Sequence, residues 1–427
     1  MKKHIKLLVV LGIILVGSFS FYLFKGYKKD ALVYENNKIK PSSSGIAMML
    51  ETSAGSGNYE MTTRSEWPTE GYVFNANLSK CENGSKLSWD NENKKVLMNG
   101  NKSDKCYVYF DVEIPPTIAN TCSSGTNLAT CIKTFGDKGS SVSKIYHHDA
   151  TLTNGAGDNS YRFAGASDQV NNYVCFGSTT TPCPADNLYR IIGVFGDRVK
   201  LIKSDYATST LLGTDGDYYR NYSEIAYYYW HKDEDYGAHY GVAPNGENTW
   251  SLSNLNKVNL NTNFIANIGA DWAAKIDETT WKVGGNTRDN IEYQPAKTAY
   301  QNEIVNPVPG EYSSNGETEY SAKIGLMYAS DYGFAAAPSA WSTGLNKYET
   351  NGIPSTNWMY MGEFEWTISR NADYPHYEFY LMPEGSVYGS KRKEDFAYAA
   401  RPVFYLKSSV GYSEGDGTKN SPIRIRD

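Results

Sequence analysis

The chain lacks any Cys-x-x-Cys pair, has no cysteine after Cys183, carries only six histidines, and contains no long block of lysine and arginine. Each absence removes a class of function. Without closely spaced thiols a structural zinc site has no ligand frame of the usual spacing. With a formal charge of -6 and no dense run of cations, there is nothing to neutralise a phosphate backbone, so nucleic acid is not the expected partner. Gly155-Ala156-Gly157 lacks the third glycine and the following helix of a nucleotide fingerprint, and reads as a loop. No serine is set by a motif beside a histidine and an acid, and no fixed-period repeat is present.

Tyrosine is abundant instead: 35 of 427 residues, alongside 9 tryptophans and 38 glycines. Large, stiff side chains with a polar tip, mixed with Gly, Ser and Asn, suit both half-buried strands and binding surfaces. Residues 7–24 form an uncharged apolar run that as a helix spans about 27 Å, enough to cross a bilayer core. Lys2, Lys3 and Lys6 precede it and Lys25, Lys28 and Lys29 follow, so charge does not fix its orientation. The length favours an uncleaved single-pass anchor with the rest of the chain extracytoplasmic; cleavage after the small residues near Ser18 would make the protein secreted. The six cysteines, Cys81, Cys106, Cys122, Cys131, Cys175 and Cys183, suit that oxidising side. Fifteen pairings are open; sequential pairing is the simplest, because each pair brackets a short polar or turn-rich loop.

The expected organisation is a membrane anchor or signal sequence at 1–29, a tether at 30–56, a small disulfide-stapled β module at 57–114, a linker with a little helix at 115–143 and a large α+β domain at 144–427. The small module carries strand-like runs at 72–74, 86–89, 95–98 and 106–112, separated by Asn, Gly and Ser turns. The large domain is organised around NLYRIIGVFGDRVKLIKSDYA, a hairpin in which Gly196 supplies the positive φ of a tight turn. Leu188, Arg190, Ile192 and Val194 fall on one face of its first strand; Tyr189, Ile191 and Phe195 fall on the other. Residues 250–276 read as helix, capped by Ser251 or Ser253. Ser330-Asp331 reads as the cap of a short helix at 332–336, 357–370 as a strand, 371–395 as a turn-rich segment, and 397–406 as a closing strand that Pro402 confines to an edge or a strand start.

The order LYRIIGVFGDRVKLIKSDYA, WSLSNLNKVNLNTNF, KIGLMYASDYGFA, WTISR, AARPVFYL resembles a bacterial surface family known as domain of unknown function 6273. That family is similar to the C-type-lectin-like fold shared with formylglycine-generating enzymes and with the targets of diversity-generating retroelements. The segment KCENGSKLSWDNENKKVLMNGNKSDKCYVYFD also resembles a module of gut-bacterial surface proteins. The resemblance covers about 161–425 and implies a mixed, mainly antiparallel C-type-lectin-like sheet domain. It places a binding surface at 371–398, with Tyr374, His376, Tyr377, Tyr380 and Tyr388 as ligand-binding candidates toward an extracellular protein or glycan. Formylglycine-type chemistry is excluded, since it needs a late cysteine pair.

Three clusters invite a metal reading. His231, Asp233, Asp235 and His239 have suitable ligand chemistry, but their spacing matches no zinc helix or calcium loop, and a solvated loop is the simpler account. His147-His148-Asp149 is read the same way. Asp215-Gly216-Asp217 is a turn that could take Ca²⁺; no other cofactor is called for. The sequence therefore predicts a surface binding protein without catalysis. The alternatives are an envelope-acting hydrolase with a metal-assisted site and a passive or pilus-like structural protein.

Overall fold

A computed structural model describes residues 36–41, 43, 45–231, 248–287, 294–308, 317–373, 377–392 and 396–427. The apolar run 7–24 lies outside them, and among the described residues no helix is long and apolar enough to cross a membrane. The chain divides into two compact units, Met1–Pro115 and Pro116–Asp427.

The first unit is built on Cys106–Val112, which pairs in parallel with Ile46–Glu51 and antiparallel with Tyr72–Phe74 and Lys80–Cys81. Tyr59–Thr62 extends the sheet beyond Ile46–Glu51. A second, three-stranded sheet joins Asn36–Lys38, Lys95–Asn99 and Lys86–Asp90. The expected tether is therefore corrected: Ile46–Glu51 is an interior strand. Its period of two turns Ile46, Met48 and Leu50 into a core with Val96, Met98, Val108 and Phe110. Gly45, directly before it, lies in a turn at φ +94°.

The second unit is a mixed, sheet-rich α+β body. One sheet runs in the order Ile324–Gly325, Val403–Tyr405, Arg198–Lys203, Leu188–Phe195, Tyr161–Phe163, Ile145–His147, with Tyr173–Cys175 also paired to Leu188–Phe195. Every pairing in it is antiparallel. The hairpin turns where the sequence places it, with Gly196 at φ +64°. A bulge between Ile191 and Gly193 shifts the register, so the simple face alternation fails, and Leu188 through Val194 are all buried. The other sheet runs Tyr218–Tyr222, Ile225–Tyr229, Ala397–Ala399, Glu365–Asn371, Tyr377–Leu381, Val387–Arg392, with Gly285–Asn286 parallel to Glu365–Asn371.

The expected closing strand at 397–406 is thus two strands. Ala397–Ala399 belongs to one sheet and Val403–Tyr405 to the other, and Pro402, with no N–H to donate, stands where the chain changes sheets. The expected linker at 115–143 is also corrected. Leu128–Gly136 is a helix whose Leu128, Cys131, Ile132 and Phe135 follow helical spacing and lie buried in the main core, with Asn127 Oδ1 capping Thr130 N at 2.9 Å.

The cysteines pair sequentially: Cys81 with Cys106, Cys122 with Cys131, Cys175 with Cys183. Trp250, Trp281, Trp341, Trp358 and Trp366 are core residues, and Trp272 packs at its edge. The 250–276 region holds a π-helical stretch, Leu255–Phe264, continuing into Ile265–Ile268. Ser253 provides the cap, its Oγ accepting from Asn256 N at 3.1 Å. The repeated asparagines bind neighbouring loops: Asn259 Nδ2 donates to Leu212 O at 2.8 Å and Asn261 Nδ2 to Ile324 O at 3.0 Å. The later helix begins one turn earlier than expected, as Ala329–Ala335, with Tyr328 as cap and Asp331 Oδ2 accepting from Tyr328 N. Of 357–370, only the end is strand, Glu365–Asn371.

Candidate functional site

Over its described residues, the segment 371–398 is mainly strand and not an exposed loop. YEFYL alternates well enough to form a strand, Tyr377–Leu381, which pairs with Val387–Arg392 and with Glu365–Asn371. The sheet turns Tyr380 inward to 0 % exposure, its ring 5.9 Å from Trp366 and 4.9 Å from Tyr398. Tyr380 is thereby corrected from ligand contact to core. Tyr377 is half-buried, Tyr388 is exposed, and Tyr374 and His376 lie outside the described residues. His231 is half-buried, while Asp233, Asp235 and His239 lie outside the described residues. Among the described residues no group of three metal-ligating side chains converges.

The histidine pair divides. His147 is on the surface, stacked on Tyr161 at 4.3 Å with Nδ1 3.7 Å from Asp149. His148 is not in a solvated loop; it is wholly buried between Phe334 and Trp341. Its Nδ1 accepts from Ala156 N at 3.0 Å, so the neutral ring carries its proton on Nε2. Burial, with Arg162 nearby, pushes it down to about 2. Asp217 is buried too, and its Oδ2 accepts from Asn254 N and Leu255 N at 2.9 Å each, at the start of the asparagine-rich helix.

Four arginines, Arg162, Arg190, Arg370 and Arg401, are buried in this unit, and Arg162 and Arg401 pair with carboxylates. Arg162 pairs with Asp158 at 2.7 Å and faces Asp331 at 3.5 Å, which also holds Lys200 at 2.5 Å. Arg401 grips Glu365 with two bonds, 2.7 and 2.9 Å. Arg190, 3 % exposed, differs. Its Nε donates to Asn172 Oδ1 at 2.6 Å, and its terminal nitrogens to Ser167 Oγ at 2.7 Å, Val170 O at 2.9 Å and Trp358 O at 3.2 Å. All of these acceptors are neutral. Desolvation, with Arg401 adding to it, pulls its pKa down to about 10.

Arg190 forms part of the wall of a cleft of about 240 Å³. Tyr173, directly opposite Arg190 in the strand register, puts its ring 4.4 Å from the guanidinium, and Trp358 lies 4.6 Å away on another side. Both rings are fixed by their surroundings, Trp358 by an Nε1 bond to Phe163 O at 2.8 Å and Tyr173 by its place in the sheet. Tyr360 completes the aromatic lining, its hydroxyl donating to Pro383 O at 2.5 Å. Ser204, Asp205 and Lys419 add a hydroxyl, an acid and an amine at the opening. Flat rings beside hydroxyls, two cations and one acid can stack a ring-shaped ligand and orient its polar groups.

None of these cleft residues is among the ligand-binding candidates that the sequence offers. The available signal was Arg190 itself, a cation in an otherwise apolar strand. A second aromatic surface lies on the edge hairpin, where Tyr219 and Tyr222 are exposed and Arg220 stacks on both at 4.7 and 4.1 Å. No protein-family model, no curated protein and no solved structure matches this chain.

Proposed function

We propose that this protein is an extracytoplasmic surface protein, anchored by residues 7–24 or secreted if that run is cleaved, whose second unit binds a glycan without catalysis. The carrying observation is the 240 Å³ cleft in which Tyr173, Trp358 and Tyr360 adjoin Ser167, Ser204, Asp205 and Lys419. Concave sites lined by aromatic rings with a few oriented polar groups are the usual form of a small-ligand site. Its volume suits one sugar ring better than a protein loop. Three disulfides support an oxidising compartment. The C-type-lectin-like assignment and the likeness to domain of unknown function 6273 belong to this proposal; the antiparallel pairing of Arg198–Lys203 with Val403–Tyr405, two of the quoted segments, is in keeping with it.

The test is binding of the full-length chain to a panel of saccharides, read by calorimetry, with Tyr173→Ala and Tyr360→Ala beside the parent. Removing one stacking ring is expected to weaken binding by about tenfold or more, in line with 1–2 kcal/mol for an aromatic contact. Absence of binding across the panel, or binding indifferent to both substitutions, would refute the assignment.

A further inference from the structure

We infer that the cleft selects a negatively charged ligand, specifically a sugar bearing a carboxylate, whose charge is set against Arg190. This rests on the glycan-binding reading and names the ligand class for it.

Buried ions in folded proteins are paired, because an uncompensated charge in a low-dielectric interior is strongly unfavourable. The second unit obeys that rule at Arg162 and Arg401, each within 2.7 Å of a carboxylate oxygen. Arg190 is as deeply buried, yet among the described residues no carboxylate lies within ion-pair distance of it. Its neighbouring charge is Arg401, of the same sign. The guanidinium nevertheless stays in place, clamped by Asn172, whose own Nδ2 is tied to Ile191 O at 2.7 Å, and by two aromatic rings. A cation held rigidly beside an open cleft, its five N–H groups taken by neutral protein acceptors and no carboxylate within ion-pair distance among the described residues, presents its charge to an incoming anion through the field and by way of Ser167 rather than by a direct bond.

The surrounding groups favour a carboxylate attached to a polyhydroxyl ring. Ser167 Oγ accepts from Arg190 at 2.7 Å, so its own proton points away from the guanidinium and is free to meet a carboxylate oxygen. Lys419, exposed at the opening, adds a second positive charge. Asp205 is the acid that lines the cleft; its Oδ1 accepts from Tyr206 N at 2.8 Å, and it acts electrostatically on Lys203 and Arg401. It therefore suits the hydroxyl side of the ligand, with the carboxylate on the Arg190 and Ser167 side. A ring stacked on Tyr173 or Tyr360 brings both ends into register.

The test compares full-length protein binding to glucuronate-terminated and glucose-terminated oligosaccharides of equal length, with a glucose phosphate as a third arm, by calorimetry. The acidic sugar is expected to bind at least tenfold more tightly than the neutral one. Ser167→Ala and Lys419→Gln should each narrow that gap by weakening binding of the acidic sugar more than that of the neutral one. Arg190→Gln, where it folds, should abolish the gap, and the two surface variants keep the test decisive where it does not fold. Equal affinity for acidic and neutral sugars overturns the inference and leaves the glycan-binding reading standing. No binding in any arm overturns both. A preference for the phosphate over the uronate overturns the carboxylate assignment alone.

Discussion

The substitution Glu303→Gln should change how stability depends on pH, in a direction the structure dictates. Glu303 is wholly buried; burial pushes it up to about 7 from an ordinary 4.5, while bonds from Ser330 and Ser369 only partly offset this. A carboxyl whose folded-state pKa is raised contributes stability that is complete below 4.5 and is lost as pH rises through 7, because only the folded chain keeps the proton in that window. His148 works the other way. Its folded-state pKa is about 2 against an ordinary 6.5, so between these values the unfolded chain binds the extra proton, and stability rises with pH. Each group contributes about 1.4 kcal/mol per pH unit, with opposite signs. Between pH 4.5 and 6.5 the two slopes cancel, and their joint contribution in the parent protein is flat. In Glu303→Gln only the histidine slope survives, so stability relative to the parent should climb by about 3 kcal/mol across that window. Gln also loses an acceptor for Ser330 N, but that loss does not vary with pH. Denaturant unfolding at a series of pH values, followed by tryptophan fluorescence, reads the second unit, which holds seven of the nine tryptophans. Parallel pH profiles for parent and variant would refute the reasoning.

Two further substitutions test the packing. Arg401→Met leaves Glu365 buried without its counter-charge and should destabilise the second unit by about 3–5 kcal/mol by chemical unfolding; adding Glu365→Gln should recover most of that, which a purely steric effect would not. Asn259→Leu removes a side chain that donates to Leu212 O and Asp215 O and accepts from Asp217 N, leaving buried backbone groups unpaired. The expected loss is about 1–3 kcal/mol per orphaned group, whereas an unchanged unfolding midpoint would mean that those contacts carry no weight.

The parts legible in the sequence were those governed by near neighbours. The hairpin at Gly196 depends on one tight turn, and the disulfides close loops of only 8, 9 and 25 residues. The Ser253 cap likewise lies within one turn of its partner. Composition misled where it stood in for burial. Tyrosine and charge at 371–398 suggested exposure, whereas the alternation in YEFYL is that of a strand with Tyr380 inside. Ser and Gly before Ile46 suggested a tether, although the three apolar residues that follow at spacing two had already defined a strand. The cleft was hidden for a different reason. Arg190 meets Trp358 across 168 residues of sequence, and no local pattern encodes that meeting.

The exchange of sheets at Ala400-Arg401-Pro402 has a mechanical consequence. The same short run of backbone is stitched to Tyr227, Tyr228 and Tyr229 before the change and to Lys200, Leu201 and Ile202 after it. Neither layer can peel away without dragging the seam, where Arg401 is bolted to Glu365. Amide protons deep in both layers should therefore exchange with solvent at a common rate, as one opening event rather than two.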